Sequence, residues 1–139
     1  MFRGKSRNAQ SKDETIYVVE DNEVVGEYIC TSLQMAGYEA VELFTDPRTA
    51  VEAIKDGNAR LVITDIYMPG LNGFAITKWM RRLTGAAKKV PVIVVSADQT
   101  KETRQKLLAN GVSAILPKPL ESLELVEAVQ KALGEPAKV

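Results

Sequence analysis

The chain of 139 residues has the length of one domain with a single core, and its 45% apolar and 26% charged residues are those of a globular protein rather than a disordered or collagen-like one. Eighteen basic residues balance eighteen acidic ones, so the composition gives no overall electrostatic footprint for nucleic acid. With no His and one Cys, Cys30, the chain cannot build a Ser-His-Asp or Cys-His nucleophile system, a Cys/His zinc site or an internal disulfide, which leaves oxygen ligands for any metal. From the N-terminus, residues 1–13 carry Arg3, Lys5, Arg7 and Lys12 and no hydrophobic run, predicting a short disordered basic leader and no secretory signal. A single domain is expected over residues 14–134, with a short tail at 135–139. The first strand is predicted at Thr15–Val19, followed by a helix whose Val24, Val25, Tyr28, Ile29, Leu33 and Ala36 fall at helical spacing before a capping Gly37. Tyr38–Leu43 reads as an edge strand because Glu39 and Glu42 interrupt it. Asp46-Pro47 then opens a helix with Ala50, Val51 and Ile54 on its apolar stripe, ending near Gly57.

The third and fourth strands, Leu61–Thr64 and Val90–Val95, are almost wholly apolar, as central strands covered on both faces must be. Between them a helix is expected from about Gly73 to Leu83, with Phe74, Ile76, Met80 and Leu83 partly buried and Trp79 a half-buried anchor beside solvated Arg81 and Arg82. A polar helix follows over Thr100–Asn110, then the fifth strand, Ala114–Leu116, and a last helix, Ser122–Leu133, expected to bury Leu123, Val126, Val129 and Leu133. Cys30 reads as a small core residue. No apolar stretch approaches the ~20 residues of a membrane span, Val92–Val95 being the longest aliphatic run, so no membrane association and a cytoplasmic location are expected. Five strands alternating with five helices specify an α/β domain with a doubly wound parallel sheet.

In such a sheet ligands bind outside the carboxyl ends of the strands, where the strand order reverses. Those ends carry Glu20-Asp21-Asn22, Asp65, Ser96 and Pro117-Lys118-Pro119. Three neighbouring carboxylates repel one another unless a cation neutralises them, and Mg²⁺ suits an all-oxygen site that takes one or two carboxylates and phosphate oxygens, with Mn²⁺ the other candidate. A carboxylate brought to phosphate in this way can attack phosphorus to give an aspartyl phosphate. Lys118 would neutralise the phosphoryl oxygens and the Ser96 hydroxyl would donate a hydrogen bond to one of them.

In this order and spacing the acidic pair Glu20-Asp21, the segment Thr64-Asp65-Ile66-Tyr67-Met68-Pro69-Gly70-Leu71-Asn72-Gly73, the pair Ser96-Ala97 and Lys118-Pro119 resemble the receiver domain of two-component response regulators, over roughly Thr15 to Leu133. The resemblance implies the flavodoxin-like strand order 2-1-3-4-5, and a phosphoryl group accepted on Asp65 from a histidine kinase or histidine phosphotransfer protein. It further implies direct Mg²⁺ binding by Asp21 and Asp65, binding by Glu20 through water, a Tyr67 backbone carbonyl ligand and a cis Lys118-Pro119 bond. A downstream protein target would be met on the face of the fourth helix, fifth strand and fifth helix, where Lys101, Glu102, Arg104, Gln105 and Lys106 are polar, and the chain would be a monomer or weak homodimer. Ile115 stands where many receivers carry the Tyr or Phe that turns inward, so activation is expected to move the loop after the fourth strand through Ser96 without an aromatic rotamer change. Tyr67 is expected to cover the acceptor and slow dephosphorylation. The competing readings are a receiver-like module that binds its partner without phosphorylation, a receiver excised from a hybrid kinase or larger regulator, an aspartyl phosphohydrolase, and a flavodoxin-like nucleotide carrier. The phosphohydrolase reading is opposed by Tyr67 standing where its general acid would lie, and the nucleotide carrier by acidic Glu20-Asp21.

Overall fold

The computed structural model describes residues 15–57, 59–83 and 88–135; the expected leader and most of the expected tail lie outside them. The elements run β1 (Thr15–Val19), α1 (Glu23–Met35), β2 (Val41–Phe44), α2 (Pro47–Lys55), β3 (Ala59–Asp65), α3 (Gly73–Met80), β4 (Val92–Ser96), α4 (Lys101–Ala109), β5 (Ala114–Pro117) and α5 (Ser122–Ala132). All strand pairs are parallel, in the order β2-β1-β3-β4-β5, so the chain reverses its direction of winding between β1 and β3. Alternate side chains of each strand face opposite layers. Ile16, Val18, Leu61, Ile63, Ile93 and Val95 pack under α1 and α5 with Ile29, Leu33, Leu125 and Val129, while Tyr17, Val19, Val62, Val92 and Val94 pack under α2, α3 and α4 with Ile54, Ile76, Met80 and Leu107.

Local chemistry sets the helix ends. Asn22, Asp46, Asn72 and Thr100 each cap a helix by accepting a backbone N–H, and Pro47 begins α2 where its missing N–H costs nothing. Gly37 and Gly57, expected to end helices, have positive φ, as do Gly111 after α4 and Gly134 after α5. The Lys118-Pro119 bond is cis, as expected.

Several expectations need correction. The second strand begins at Val41 instead of Tyr38, because Tyr38 is drawn into the core under α1 and its hydroxyl donates to Glu135 Oε1 at 2.6 Å. The strand remains an edge. Glu135 also pairs with Arg60, which pins the segment after α5 near the start of β3. Leu123 is 70% exposed, and Leu125 takes the buried place with Val129 because the α5 stripe that faces α1 starts two residues later. Val24 is 79% exposed and Tyr28 is 44% exposed, so the buried side of α1 is carried by Ile29 and Leu33. α3 stops at Met80, although Leu83 still packs against the core and Trp79 is half-buried there as expected. Cys30 is half-buried at the margin of the α1 layer.

The helices of the two faces differ in charge. α1 and α5 present Glu23, Glu27, Glu124 and Glu127 against Lys131 alone. α2, α3 and α4 present Arg48, Lys55, Lys78, Lys101, Arg104 and Lys106 against Glu52 and Glu102.

Candidate functional site

Parallel pairing brings the carboxyl ends of β1 and β3 side by side, with Val19 opposite Thr64, so Glu20 and Asp65 leave their strands as neighbours at the winding reversal. Asp65 pairs with Val95 and Ser96 with Pro117, which brings the β4 and β5 ends to the same rim. Glu20, Asp21 and Asp65 each offer a carboxylate oxygen, and these lie within 4.8 Å of one another. Capping of α1 falls to Asn22, whose side chain accepts from Val25 N–H at 3.1 Å, and not to the acidic pair before it.

Lys118 bridges the acids: its Nζ donates to Asp65 Oδ2 at 2.8 Å and to Glu20 Oε1 at 3.0 Å. The remaining oxygens are met by backbone, with Ile66 N–H donating to Asp65 Oδ1 at 2.7 Å and Asn22 N–H to Glu20 Oε2 at 3.1 Å. Burial opposes charge on both partners. In Glu20, 2% exposed, desolvation prevails over the Asn22 and Lys118 hydrogen bonds and raises the carboxyl pKa. In Lys118 desolvation is outweighed by the hydrogen bonds to Asp65 and Glu20, which hold the ammonium above its ordinary pKa. Three carboxylates against one ammonium leave the cluster anionic, and a hard divalent cation with oxygen preference fits that donor set.

Gly73, the first residue of α3, sets how closely that helix approaches Asp65. A methyl group there would overlap the Asp65 carbonyl oxygen and sit 3.1 Å from Ile66 Cα. In its place the Gly73 N–H donates to the Ile66 carbonyl at 2.8 Å, fastening the helix to the residue after Asp65.

Ser96 is fully buried at the end of β4, and its Oγ accepts from Asp98 N–H at 2.9 Å. Ile115 is half-buried against the α2/α3/α4 layer. Tyr67 is 60% exposed and donates its hydroxyl to Asp98 Oδ2 at 2.9 Å, which raises its pKa. Sequence reasoning missed Asp98. Its carboxyl is held down at about 2, first by the Thr100 N–H and then by the Thr103 and Tyr67 hydroxyls. The signal for it was an acid two residues before a Thr that caps a helix, a spacing that favours an Asx turn. Gly73 was seen as a helix start and as the end of the Thr64–Gly73 segment, without its close approach to Asp65.

A model of the response regulator receiver domain matches residues 16–130. The DNA-binding transcriptional regulator NtrC of Rhizobium meliloti (strain 1021) is 34% identical over 122 residues, 88% of this chain and 24% of that protein. The chain thus spans about a quarter of the length of that relative. The polar-differentiation response regulator DivK of Brucella ovis is 26% identical over 125 residues, 88% of this chain and 98% of that protein. Among solved structures, the receiver domain of the sensor histidine kinase PA1611 from Pseudomonas aeruginosa PAO1 superposes with a TM-score of 0.77 at 28% identity. The match covers 88% of this chain and 99% of that one, whose active site cleft holds a coordinated magnesium ion.

Proposed function

Because the chain belongs to the response regulator receiver domain family, we propose that Asp65 is its phosphoacceptor, taking a phosphoryl group from a phosphohistidine on a kinase or phosphotransfer protein. The observation that carries this reading is the bridging of Asp65 and Glu20 by Lys118 beside Asp21, at the strand ends where the winding reverses. An Asp65 carboxylate oxygen attacks phosphorus, the bond from phosphorus to the donor imidazole nitrogen breaks, and the imidazole takes up a proton. Lys118 is placed to neutralise phosphoryl oxygens and Ser96 to donate a hydrogen bond to one of them. Asp21 and Asp65 are the residues to hold Mg²⁺, with Glu20 acting through water and the Tyr67 backbone carbonyl completing the protein ligands. The magnesium in the PA1611 receiver domain supports this assignment. When bound, the cation would offset the negative charge of acceptor and phosphoryl group together.

On this reading the chain is modified rather than turning over a substrate for others, and it works as a cytoplasmic signalling switch. No helix among the described residues is long and apolar enough to cross a membrane. The donor would meet the apolar Val24, Val25 and Tyr28 of α1 beside Lys118-Pro119-Leu120, a groove of about 600 Å³ at the rim of the site. The downstream target would meet the α4, β5 and α5 face.

The test is the intact mass after incubation with Mg²⁺ and acetyl phosphate, beside Asp65→Ala and a sample without metal. A gain of one phosphoryl mass in the wild type alone supports the reading. No gain, either here or with a phosphohistidine donor, refutes it in favour of a module that binds its partner without phosphorylation.

A further inference from the structure

Hydrogen bonds from two separate elements converge on the Asp98 carboxylate. Oδ2 accepts from the Tyr67 hydroxyl at 2.9 Å, on the loop that follows the acceptor, and from the Thr103 hydroxyl at 2.8 Å in the first turn of α4. Oδ1 accepts from Thr100 N–H at 3.0 Å, at the cap of the same helix. The Asp98 backbone in turn donates to Ser96 Oγ at 2.9 Å. One residue therefore touches the end of β4, the acceptor loop and the start of α4.

The neighbouring contacts do not duplicate this link. Tyr67 belongs to neither apolar layer and stands 60% exposed, so among the described contacts its ring is located by its hydroxyl. Ile115 reaches the α4 side of the sheet only through apolar packing, which carries no directional bond to the acceptor. A phosphoryl group on Asp65 adds negative charge and three strong acceptor oxygens at the strand end paired with Val95, the residue before the buried Ser96. A hydroxyl that turns to donate to phosphate still accepts from Asp98 N–H, so movement of Ser96 toward the phosphoryl group draws Asp98 with it, and with Asp98 the two hydroxyls held by its carboxylate.

We propose that Asp98 is a positioning residue that ties the Tyr67 ring to the first turn of α4, so that a phosphoryl group on Asp65 displaces ring and helix together through Ser96. This rests on Asp65 being the acceptor.

The test uses amide and tyrosine-ring NMR of the full chain with Mg²⁺, with and without beryllofluoride as phosphoryl mimic, on wild type, Asp98→Ala and Thr103→Val. In the wild type the Ile66 amide, the Tyr67 ring and the amides from Thr100 to Leu107 shift together. In Asp98→Ala the Ile66 shift persists while the ring and α4 shifts fall to less than half. Thr103→Val removes one of the two bonds from Asp98 to the start of α4 and leaves the Thr100 N–H bond in place; it keeps the ring shift and gives an α4 shift between those of the wild type and Asp98→Ala. Equal α4 shifts in all three proteins overturn the tie and leave the acceptor reading standing. An Ile66 amide that moves in none of them overturns the acceptor reading and the tie with it.

Discussion

Replacing Gly73 by Ala tests how Asp65, the proposed acceptor, is positioned, because the sign of its effect is set by one close approach. Gly73 is not in the positive-φ region, so an alanine there meets no backbone strain. Without a steric conflict, Gly→Ala near the start of a helix stabilises by about 0.4–1 kcal/mol through the unfolded chain. Here the added methyl would overlap the Asp65 carbonyl oxygen and lie 3.1 Å from Ile66 Cα and 3.2 Å from the Asp65 carbonyl carbon. Ordinary carbon–carbon contact is ~3.5–4.0 Å, so α3 and the acceptor loop must separate by several tenths of an ångström. Both sides of the contact are backbone, and the Gly73 N–H bond to Ile66 is stretched by the same movement. Overpacking against such a partner costs about 1–3 kcal/mol, which offsets or exceeds the gain and leaves a net loss of about 0–2.6 kcal/mol. The acceptor carboxylate moves relative to Lys118, and misplacement approaching 1 Å lowers a positioned reaction by about 10²-fold. Urea unfolding reads the first effect, and the rate of phosphoryl incorporation from acetyl phosphate, followed by intact mass, reads the second. A Gly73→Ala protein that is at least as stable as the wild type and is phosphorylated at the wild-type rate refutes the argument.

Lys118→Ala leaves Glu20 and Asp65 facing each other without their ammonium; phosphoryl incorporation should fall by about 10²–10³-fold, the usual loss when one charge-stabilising donor is removed, as single-turnover mass measurements will show. For Glu20 the folded pKa is raised, so ionising it at neutral pH penalises the native state, and that penalty disappears as pH falls through the folded value toward the ordinary carboxylate value. Wild type should therefore gain stability relative to Glu20→Gln as pH falls from neutral toward the ordinary carboxylate value in metal-free urea titrations; a constant difference would contradict the assigned shift. Tyr67→Asn should shorten the aspartyl phosphate lifetime by admitting water, and an unchanged or longer decay would end that idea. Glu135→Ala removes the acceptor of the Tyr38 hydroxyl and the partner of Arg60, and should cost about 1–2 kcal/mol in urea unfolding.

Period and punctuation made the architecture legible before any coordinates. The apolar runs of β3 and β4, the Asp46-Pro47 helix start and the glycines that end four helices each act over a few residues, and each appears where its local chemistry requires. The acidic cluster was legible for a related reason, since parallel strands of known polarity must deliver their carboxyl ends to one rim. What escaped depends on partners distant in sequence. Leu123 and Leu125 are equally apolar, and only packing against α1 selects the second. Tyr38 leaves the strand pattern because Glu135 and the α1 layer claim it. The bond from the Tyr67 hydroxyl to Asp98 spans 31 residues. Periodicity carries no information about such a pairing.

The charge difference between the two helical layers gives formal neutrality a different meaning. Eighteen positive and eighteen negative side chains cancel in sum, yet among the described helices the acidic α1/α5 layer and the basic α2/α3/α4 layer lie on opposite sides of one sheet, so charge is separated across it. A charged body approaching it experiences a torque before it experiences contact, and the two poles present themselves to partners of opposite sign. Because the Debye length shrinks from ~30 Å at 0.01 M to ~10 Å at 0.1 M salt, ionic strength governs the orientation in which this domain is first met.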